Sequence, residues 1–161
     1  MPRMNILNKS EQEMFDAPPV FSSAERKRFC NFQNSLKEKT ETLRKPSTKI
    51  GFLLSCGYFK ATKRFFKPED YHQNDTAYVA RILNLLPDQF APEQYVQSTR
   101  HWHQDIILEF YGYRRFDQRS LDAISEEFIS MMRSQLKPRF IFWWCIDVLI
   151  RERVQIPAYF Q

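Results

Sequence analysis

Apolar side chains recur along most of this chain at the three- and four-residue spacing that lines one face of an α-helix. The spacing is clearest over residues 99–116, where Trp102, Ile106, Phe110 and Tyr113 follow at intervals of four, four and three. No stretch shows the sustained polar–apolar alternation of a strand, and no repeat of fixed period occurs. The pattern therefore predicts an all-α fold, a single globular bundle of about seven to eight helices over residues 1–161.

Capping residues and prolines predict where the first three helices begin and end. Capping boxes at Ser10–Glu13 and Ser22–Glu25 predict a short first helix and a longer second helix that reaches about Leu43. Ser47 or Thr48 is the predicted N-cap of a third helix, which is apolar nearly all round and therefore expected at the centre of the core.

The next two helices are predicted from the same signals. Asp75 or Thr76 caps a fourth helix, which is expected to end near Leu86 with that side chain facing inward. Pro92 suits the first position of a short fifth element that continues to about Ser98.

The sixth helix is the one with the clearest periodicity. Thr99 is its predicted N-cap and Gly112 its predicted left-handed end. Trp102 and Phe110 are expected to be buried, so that changing either to alanine would cost about 3–5 kcal/mol. Arg114 and Arg115 follow the helix. Positive charge at both ends could hold a phosphate backbone, or could simply be the solvated ends of a core helix.

Two further helices complete the prediction. Asp117 or Ser120 starts the seventh, whose predicted inner face runs from Leu121 to Met132. Pro138 opens the eighth, over residues 139–153.

Composition excludes several classes of protein. Apolar residues make up 43% of the 161 positions and aromatic residues 16%, enough for a packed core and too many for a disordered chain. No apolar run is long enough to span a bilayer, and the first residues lack the apolar core of a secretory signal. The three widely spaced cysteines are typical of reduced thiols in a cytoplasmic protein.

Positive charge is concentrated in one part of the chain. Residues 24–67 hold twelve Lys or Arg against three Glu, an excess of +9, whereas the whole chain carries +5. Such a concentration provides affinity for a polyanion through release of condensed counterions. Within this segment, residues 59–67 interleave four basic residues with three phenylalanines. That arrangement could grip phosphates while the rings contact DNA, or the rings could attach a loop to the core.

No pattern of catalytic or metal-binding residues emerges. His101 and His103 are two positions apart, so on a helix they point about 200° apart, whereas helical zinc pairs are spaced four apart. Asp105 and Glu109 share a helix face and could act together or bind a magnesium ion, but a solvated or salt-bridged pair is far commoner. Phosphate-cradling glycine loops and nucleophile motifs are absent from the sequence. We therefore expect no metal, no cofactor and no enzymatic activity.

Several motifs resemble, in order, the N-terminal domain of the Tn-three family of replicative bacterial transposases. They are the opening residues 1–13, KIGFLxxC over 49–56, RxxHxxxIxxxYGYRxF over 100–116 and LIRERVxIP over 149–157. The resemblance spans essentially the whole chain. Residues 60–67 depart from it, because they replace a short stretch of the family with a more basic one.

The resemblance implies an all-α, double-stranded DNA-binding module that recognises the terminal inverted repeats of a transposon. The magnesium-binding catalytic acids of such transposases lie far downstream and are not in this chain. It also implies a bacterial, cytoplasmic and nucleoid-associated protein that self-associates as part of a transposase dimer. The alternative is a protein-interaction domain of the transposase without direct sequence readout.

Eleven residues are the predicted DNA contacts. Those near the third helix are expected to hold phosphates, and Arg100 in the first turn of the sixth helix is expected to read a base, with His103 and Gln104 one turn further on. The alternative for Arg100 and His103 is a bond within the fold. The full predicted set is Arg44, Lys45, Lys49, Lys60, Lys63, Arg64, Arg100, His103, Gln104, Arg114 and Arg115.

Overall fold

The computed structural model describes residues 6–134 and 136–159, and within them the fold is all-α, as predicted from the sequence. Three single 3-10 turns, at Pro68–Asp70, Pro87–Gln89 and Pro92–Gln94, join some of the helices. The helices are α1 (Lys9–Asp16), α2 (Ser23–Phe29), α3 (Asn34–Glu41), α4 (Pro46–Thr62), α5 (Gln73–Ile82), α6 (Gln97–Tyr111), α7 (Gln118–Met132) and α8 (Pro138–Arg151).

The chain divides into two compact units. One unit combines the residues up to Asp16 with those from Leu108 onward, and the other is Ala17–Ile107. We call them the terminal unit and the central unit. The assignment of residues 1–161 to a single domain stays a prediction.

Helix α4 is the core of the central unit. Every residue from Ile50 to Phe59 is buried, which confirms the central burial predicted from its apolar sequence. Its N-cap is Lys45 and Pro46 is its first residue, so the predicted caps Ser47 and Thr48 are wrong. Ser47 is buried instead, where its hydroxyl donates to Gln89 O and accepts from the amide of Ala91.

The predicted long second helix is wrong, because the helix is interrupted between Phe29, where α2 ends, and Asn34, where α3 begins. Cys30 and Phe32 are both buried, and both lie against Gly57 of α4. Residues two apart on one continuous helix point about 200° away from each other. A break is therefore required for both side chains to reach the same glycine.

One of the two predicted capping boxes is in place, and the predicted helix start at Asp117 forms a further box. Ser22 with Glu25 caps α2, and Asp117 with Ser120 caps α7. The first box is shifted by two residues, because Asn8 accepts from the amide of Glu11 at 2.9 Å while the Glu11 carboxylate accepts from Asn8 N at 2.8 Å.

Helix α5 differs from its prediction at both ends. Asp75 is buried in its first turn and is not the N-cap, a position that His72 occupies. The helix ends at Ile82, since Asn84 adopts the left-handed φ of 56° that stops a helix. Leu86 therefore lies beyond the helix and is 64% exposed, contrary to its predicted inward position.

Helix α6 buries a different face from the predicted one. It begins at Gln97, so Thr99 lies inside it, whereas Gly112 has the predicted left-handed φ of 71°. Trp102 is 56% exposed, and His103 and Ile107 are buried in its place. This is a rotation of one residue, about 100°. The predicted cost of removing the Trp102 side chain is consequently too high.

In the terminal unit, α1 and α8 meet through aromatic rings. Phe15 packs edge-on against Phe142 with ring centroids 5.4 Å apart, and the Tyr159 hydroxyl accepts hydrogen bonds from the amides of Ile6 and Leu7 at 3.1 Å. The predicted inner face of α7 is only partly correct. Ile124 and Phe128 are half-buried, as the prediction requires. The other three predicted inner residues, Leu121, Ile129 and Met132, are exposed.

None of the helices in the described part of the chain has the length and apolar character needed to cross a membrane.

Candidate nucleic-acid interface

Most of the basic side chains in residues 24–67 remain at the surface. Two of the twelve are engaged in the interior of the central unit: Arg26 pairs with Asp75, and Arg64 is only 8% exposed. Lys49, Lys60 and Lys63 are half-buried. The exposed members of the segment are Lys27, Arg28, Lys37, Lys39, Arg44, Lys45 and Lys67.

The N-terminus of α4 brings together three of the predicted phosphate contacts. Arg44 and Lys45 are exposed on the two residues before the helix, and Lys49 follows one turn inside it. The side chain of the N-cap residue Lys45 makes no capping hydrogen bond at this end of the helix. The partial positive charge of a helix N-terminus adds to the three cations, and the combination favours an anion.

At the C-terminus of α4, two lysines donate hydrogen bonds to backbone carbonyls. The Lys60 ammonium donates to Arg28 O at 3.2 Å, at the end of α2, and the Lys63 ammonium donates to Lys60 O at 2.9 Å. Cations at these positions offset the negative ends of the helix dipoles. These two predicted DNA contacts therefore have a structural role close to the surface.

The aromatic residues after α4 pack into the central unit. Phe65 stacks on Phe59 with ring centroids 4.9 Å apart, and Phe66 is buried. The Arg64 guanidinium lies 5.4 Å from the centre of the Phe66 ring. This arrangement supports the core-packing alternative for the phenylalanines. It also argues against Arg64 as a phosphate contact, because its side chain is buried against a ring.

His103 is part of the core and not of the surface. It is 1% exposed, its Nδ1 lies 2.8 Å from the Tyr95 hydroxyl, and its ring meets Phe52 edge-on at 5.0 Å. Burial lowers the pKa of His103 to about 4, so the ring is neutral at pH 7. This burial argues against the predicted role of His103 in reading paired bases in a DNA groove, and the contact of Nδ1 with Tyr95 favours the alternative of a bond within the fold.

Arg100 lies one turn before His103 and is half-buried. Burial raises the pKa of the Tyr71 hydroxyl to about 12, and the positive charge of Arg100 opposes that rise. Arg100 Nε is buried and has no hydrogen-bond partner within the described residues. The Arg100 guanidinium is thus close to the half-buried Tyr71 and the buried Tyr95, which reduces its reach toward a DNA groove.

The remaining predicted contacts lie after or along α6. The Arg114 side chain is exposed, whereas its backbone is fixed by a short parallel bridge: its N donates to Arg153 O at 2.9 Å and its O accepts from Gln155 N at 2.9 Å. Arg115 and Gln104 are half-buried. Arg114 is therefore the exposed cation of this group, on a rigid backbone.

A buried polar cluster in the central unit was not predicted from the sequence. Asp75 is 0% exposed, accepts from Arg26 Nε at 2.7 Å and accepts from the Tyr58 hydroxyl at 2.6 Å. The three residues lie on α5, α2 and α4, so no local spacing connects them. Desolvation raises the pKa of Tyr58, and the neighbouring carboxylate raises it further.

A cavity in the central unit was also missed. It has a volume of about 170 Å³, and its walls are mainly apolar and aromatic. We call it the Trp102 cavity, after its exposed aromatic wall. Besides Trp102, its lining includes Lys39, Thr42, Leu43, Phe52 and His103.

Metal and thiol chemistry receive no support from the geometry. No group of three or more His, Cys, Asp or Glu able to hold a metal ion occurs among the described residues. Burial raises the pKa of the Cys30 thiol to about 12 and also raises that of Cys56, so both thiols are protonated at neutral pH.

Comparison with known proteins gives a family but not a function. No curated protein matches the chain significantly. One family model, described as a domain of unknown function (DUF4158), matches residues 6–161. Since this match covers nearly every residue, the chain belongs to the DUF4158 family.

Proposed function

We propose that this chain binds double-stranded DNA as the N-terminal module of a transposase and recognises the terminal inverted repeats of a transposon. The observation that carries the proposal is the positive charge of residues 24–67, most of which stays exposed after folding. In this proposal the chain binds DNA, and strand cleavage belongs to a catalytic domain elsewhere.

Phosphate contact is assigned to the N-terminus of α4. Arg44, Lys45 and Lys49 lie within six consecutive residues around the first turn of α4, and the helix end adds its partial charge. Lys37 and Lys39 on α3 are also exposed and extend the positive charge along the chain. Contacts of this kind position a protein on DNA without reading its sequence.

Sequence readout requires side chains that reach base edges. Arg114 is exposed on a fixed backbone, and guanidinium groups are the commonest partners of guanine. Arg100 is the second candidate, although its half-buried position near Tyr71 requires it to swing outward. Arg114 is therefore our first candidate for reading a base.

The test is a mobility-shift titration at several salt concentrations, with a duplex carrying the flanking inverted repeat and a scrambled duplex. Changing Arg44, Lys45 and Lys49 together to alanine should weaken binding to both duplexes and flatten the salt slope by up to about three units. The matched control replaces three exposed cations outside the basic segment, Arg119, Arg133 and Lys137, and removes the same total charge.

Equal effects of the two triple variants would mean that net charge alone matters and would reject the α4 assignment. Absence of salt-dependent binding by the unchanged chain would reject DNA binding altogether. If Arg114 reads a base, Arg114→Ala should lower the preference for the inverted repeat by about 1–3 kcal/mol while binding to the scrambled duplex changes little.

A second candidate function, assembly through protein contact, is favoured by the exposed apolar residues of the terminal unit. Met14 is 76% exposed, and Phe140 and Trp143 on α8 are also largely exposed. Large apolar side chains that remain in water at several positions of one unit are typical of a protein-contact surface. Concentration-dependent association without DNA would support this candidate.

A further inference from the structure

We propose that the Trp102 cavity binds one unstacked pyrimidine base of a DNA strand. The inference rests on the proposed DNA binding and adds a specific subsite to it. It is carried by the size of the cavity, its exposed aromatic wall, a buried polar nitrogen and a cation at its edge.

The volume of the cavity suits a single six-membered ring. An apolar cavity of about 150 Å³ accommodates benzene in a well-studied protein interior, and this cavity measures about 170 Å³. A purine has two fused rings and would leave one of them outside. The size therefore favours a pyrimidine.

The walls provide stacking surfaces. Trp102 is 56% exposed although it is the largest type of apolar side chain, and its ring lies 5.3 Å from that of His103 at a tilt of 42°. Phe52 and Leu43 line the interior of the cavity. Exposed aromatic rings in basic surroundings are the platforms on which DNA-binding proteins stack unpaired bases.

His103 adds a polar atom without a partner. Its Nδ1 is engaged by the Tyr95 hydroxyl, whereas the buried Nε2 has no hydrogen-bond partner within the described residues. Buried polar atoms in folded proteins are nearly always bonded, to protein, water or ligand. In either tautomer of the neutral ring, Nε2 matches a group on the edge of a pyrimidine, which carries both donors and acceptors.

Lys39 supplies the charge for the phosphate of the bound nucleotide. Its side chain is exposed at the edge of the cavity, at the end of α3, and Arg44 and Lys45 follow a few residues later. A base that enters the cavity thus belongs to a strand whose phosphates lie among exposed cations. The same combination of basic groove and stacking ring is used for single strands and for bases extruded from a duplex.

The experiment compares three duplexes of one sequence by mobility shift: fully paired, with a single thymine bulge, and with an abasic bulge at the same position. The abasic duplex has the same bent backbone and lacks only the base. The unchanged chain should bind the thymine bulge about fivefold or more tightly than the abasic bulge. A duplex with an adenine bulge should gain less affinity over the abasic duplex than the thymine bulge does, because the second ring of adenine does not fit the cavity.

Trp102→Ala should remove the preference for thymine over the abasic bulge, while binding to the paired duplex is unchanged. Trp102 is mostly exposed, so this variant is expected to fold, which circular dichroism checks. The control Trp143→Ala removes an exposed tryptophan of the terminal unit and should keep the preference. Lys39→Gln should weaken thymine-bulge binding more than Lys37→Gln does.

Equal affinity for thymine and abasic bulges, or a preference that survives Trp102→Ala, would overturn the inference and leave the proposed function in place. Failure to bind any of the three duplexes in a salt-dependent manner would refute the proposed function, and the inference with it.

Discussion

At the scale of single residues, the central unit depends on polar groups buried among apolar ones. Asp75 is held by Arg26 and Tyr58, and His103 by Tyr95. Removing one member of a buried ion pair leaves an uncompensated charge and is strongly destabilising. Asp75, Arg26 and Tyr58 therefore tie three helices together and are poorly placed to contact DNA.

The buried His103 predicts a dependence of stability on pH. Its pKa is about 4 in the folded chain against an ordinary value near 6.5, so between these values the unfolded chain binds a proton that the folded chain does not. Stability should therefore fall as the pH decreases from about 6.5 towards 4. Between pH 7 and pH 5 the loss due to His103 should be about 2 kcal/mol.

Urea denaturation at pH 7 and pH 5 measures this loss. His103→Gln should make the difference between the two pH values smaller by about 2 kcal/mol. His101→Gln, an exposed position on the same helix, should leave the difference as it is. The same pH dependence in both variants would show that His103 is not protonated on unfolding in this range.

At the scale of elements, α4 organises the central unit because neighbouring segments approach it closely at its two glycines. The Tyr95 ring lies against Gly51, where an added Cβ would overlap ring atoms. At Gly57 an added Cβ would lie 3.3 Å from Cys30 Sγ, a tight but adjustable contact. The two glycines thus differ in how much they can be changed.

Gly51→Ala should destabilise the chain by about 1–3 kcal/mol despite the better helix propensity of alanine, because Tyr95 is buried and bonded to His103 and cannot move away. Gly57→Ala on the same helix should cost clearly less. The free energy of unfolding in urea checks both. Equal stability of the two variants would contradict the close packing of Tyr95 on α4.

At the scale of the whole molecule, the exposed residues assigned to the two candidate functions belong to different parts of the chain. The basic residues of 24–67 are in the central unit, whereas Met14, Phe140 and Trp143 are in the terminal unit. DNA binding and protein association, the two candidate functions, therefore use different residues and can be tested separately.

We expect substitutions in the two units to have separate effects. Phe140→Ser combined with Trp143→Ser should reduce any self-association measured by sedimentation and leave the salt slope of DNA binding unchanged. The triple alanine variant of Arg44, Lys45 and Lys49 should do the reverse. A single variant that abolishes both properties while remaining folded would show that DNA binding requires assembly.

The sequence by itself determined the all-α class, some of the helix ends and the location of the charge. These features depend on neighbours along the chain: a capping box such as Ser22–Glu25 joins residues three apart, and the left-handed Gly112 ends its own helix. The excess of charge in residues 24–67 is a property of composition. Residue types and their spacing along the chain were therefore sufficient to predict these three features.

Only the tertiary structure decided which helix face is buried and which polar residues are interior. Trp102 has the position of a core residue in the sequence pattern, yet His103 is buried there instead. The Tyr95 hydroxyl bonds its ring, and Phe52 from α4 packs against it. Asp75 has the sequence position of a helix cap, yet it is buried, because Arg26 and Tyr58 donate hydrogen bonds to its carboxylate. Periodicity ranks side chains by polarity alone, whereas burial of a polar group depends on partners that only the folded chain brings within hydrogen-bond distance.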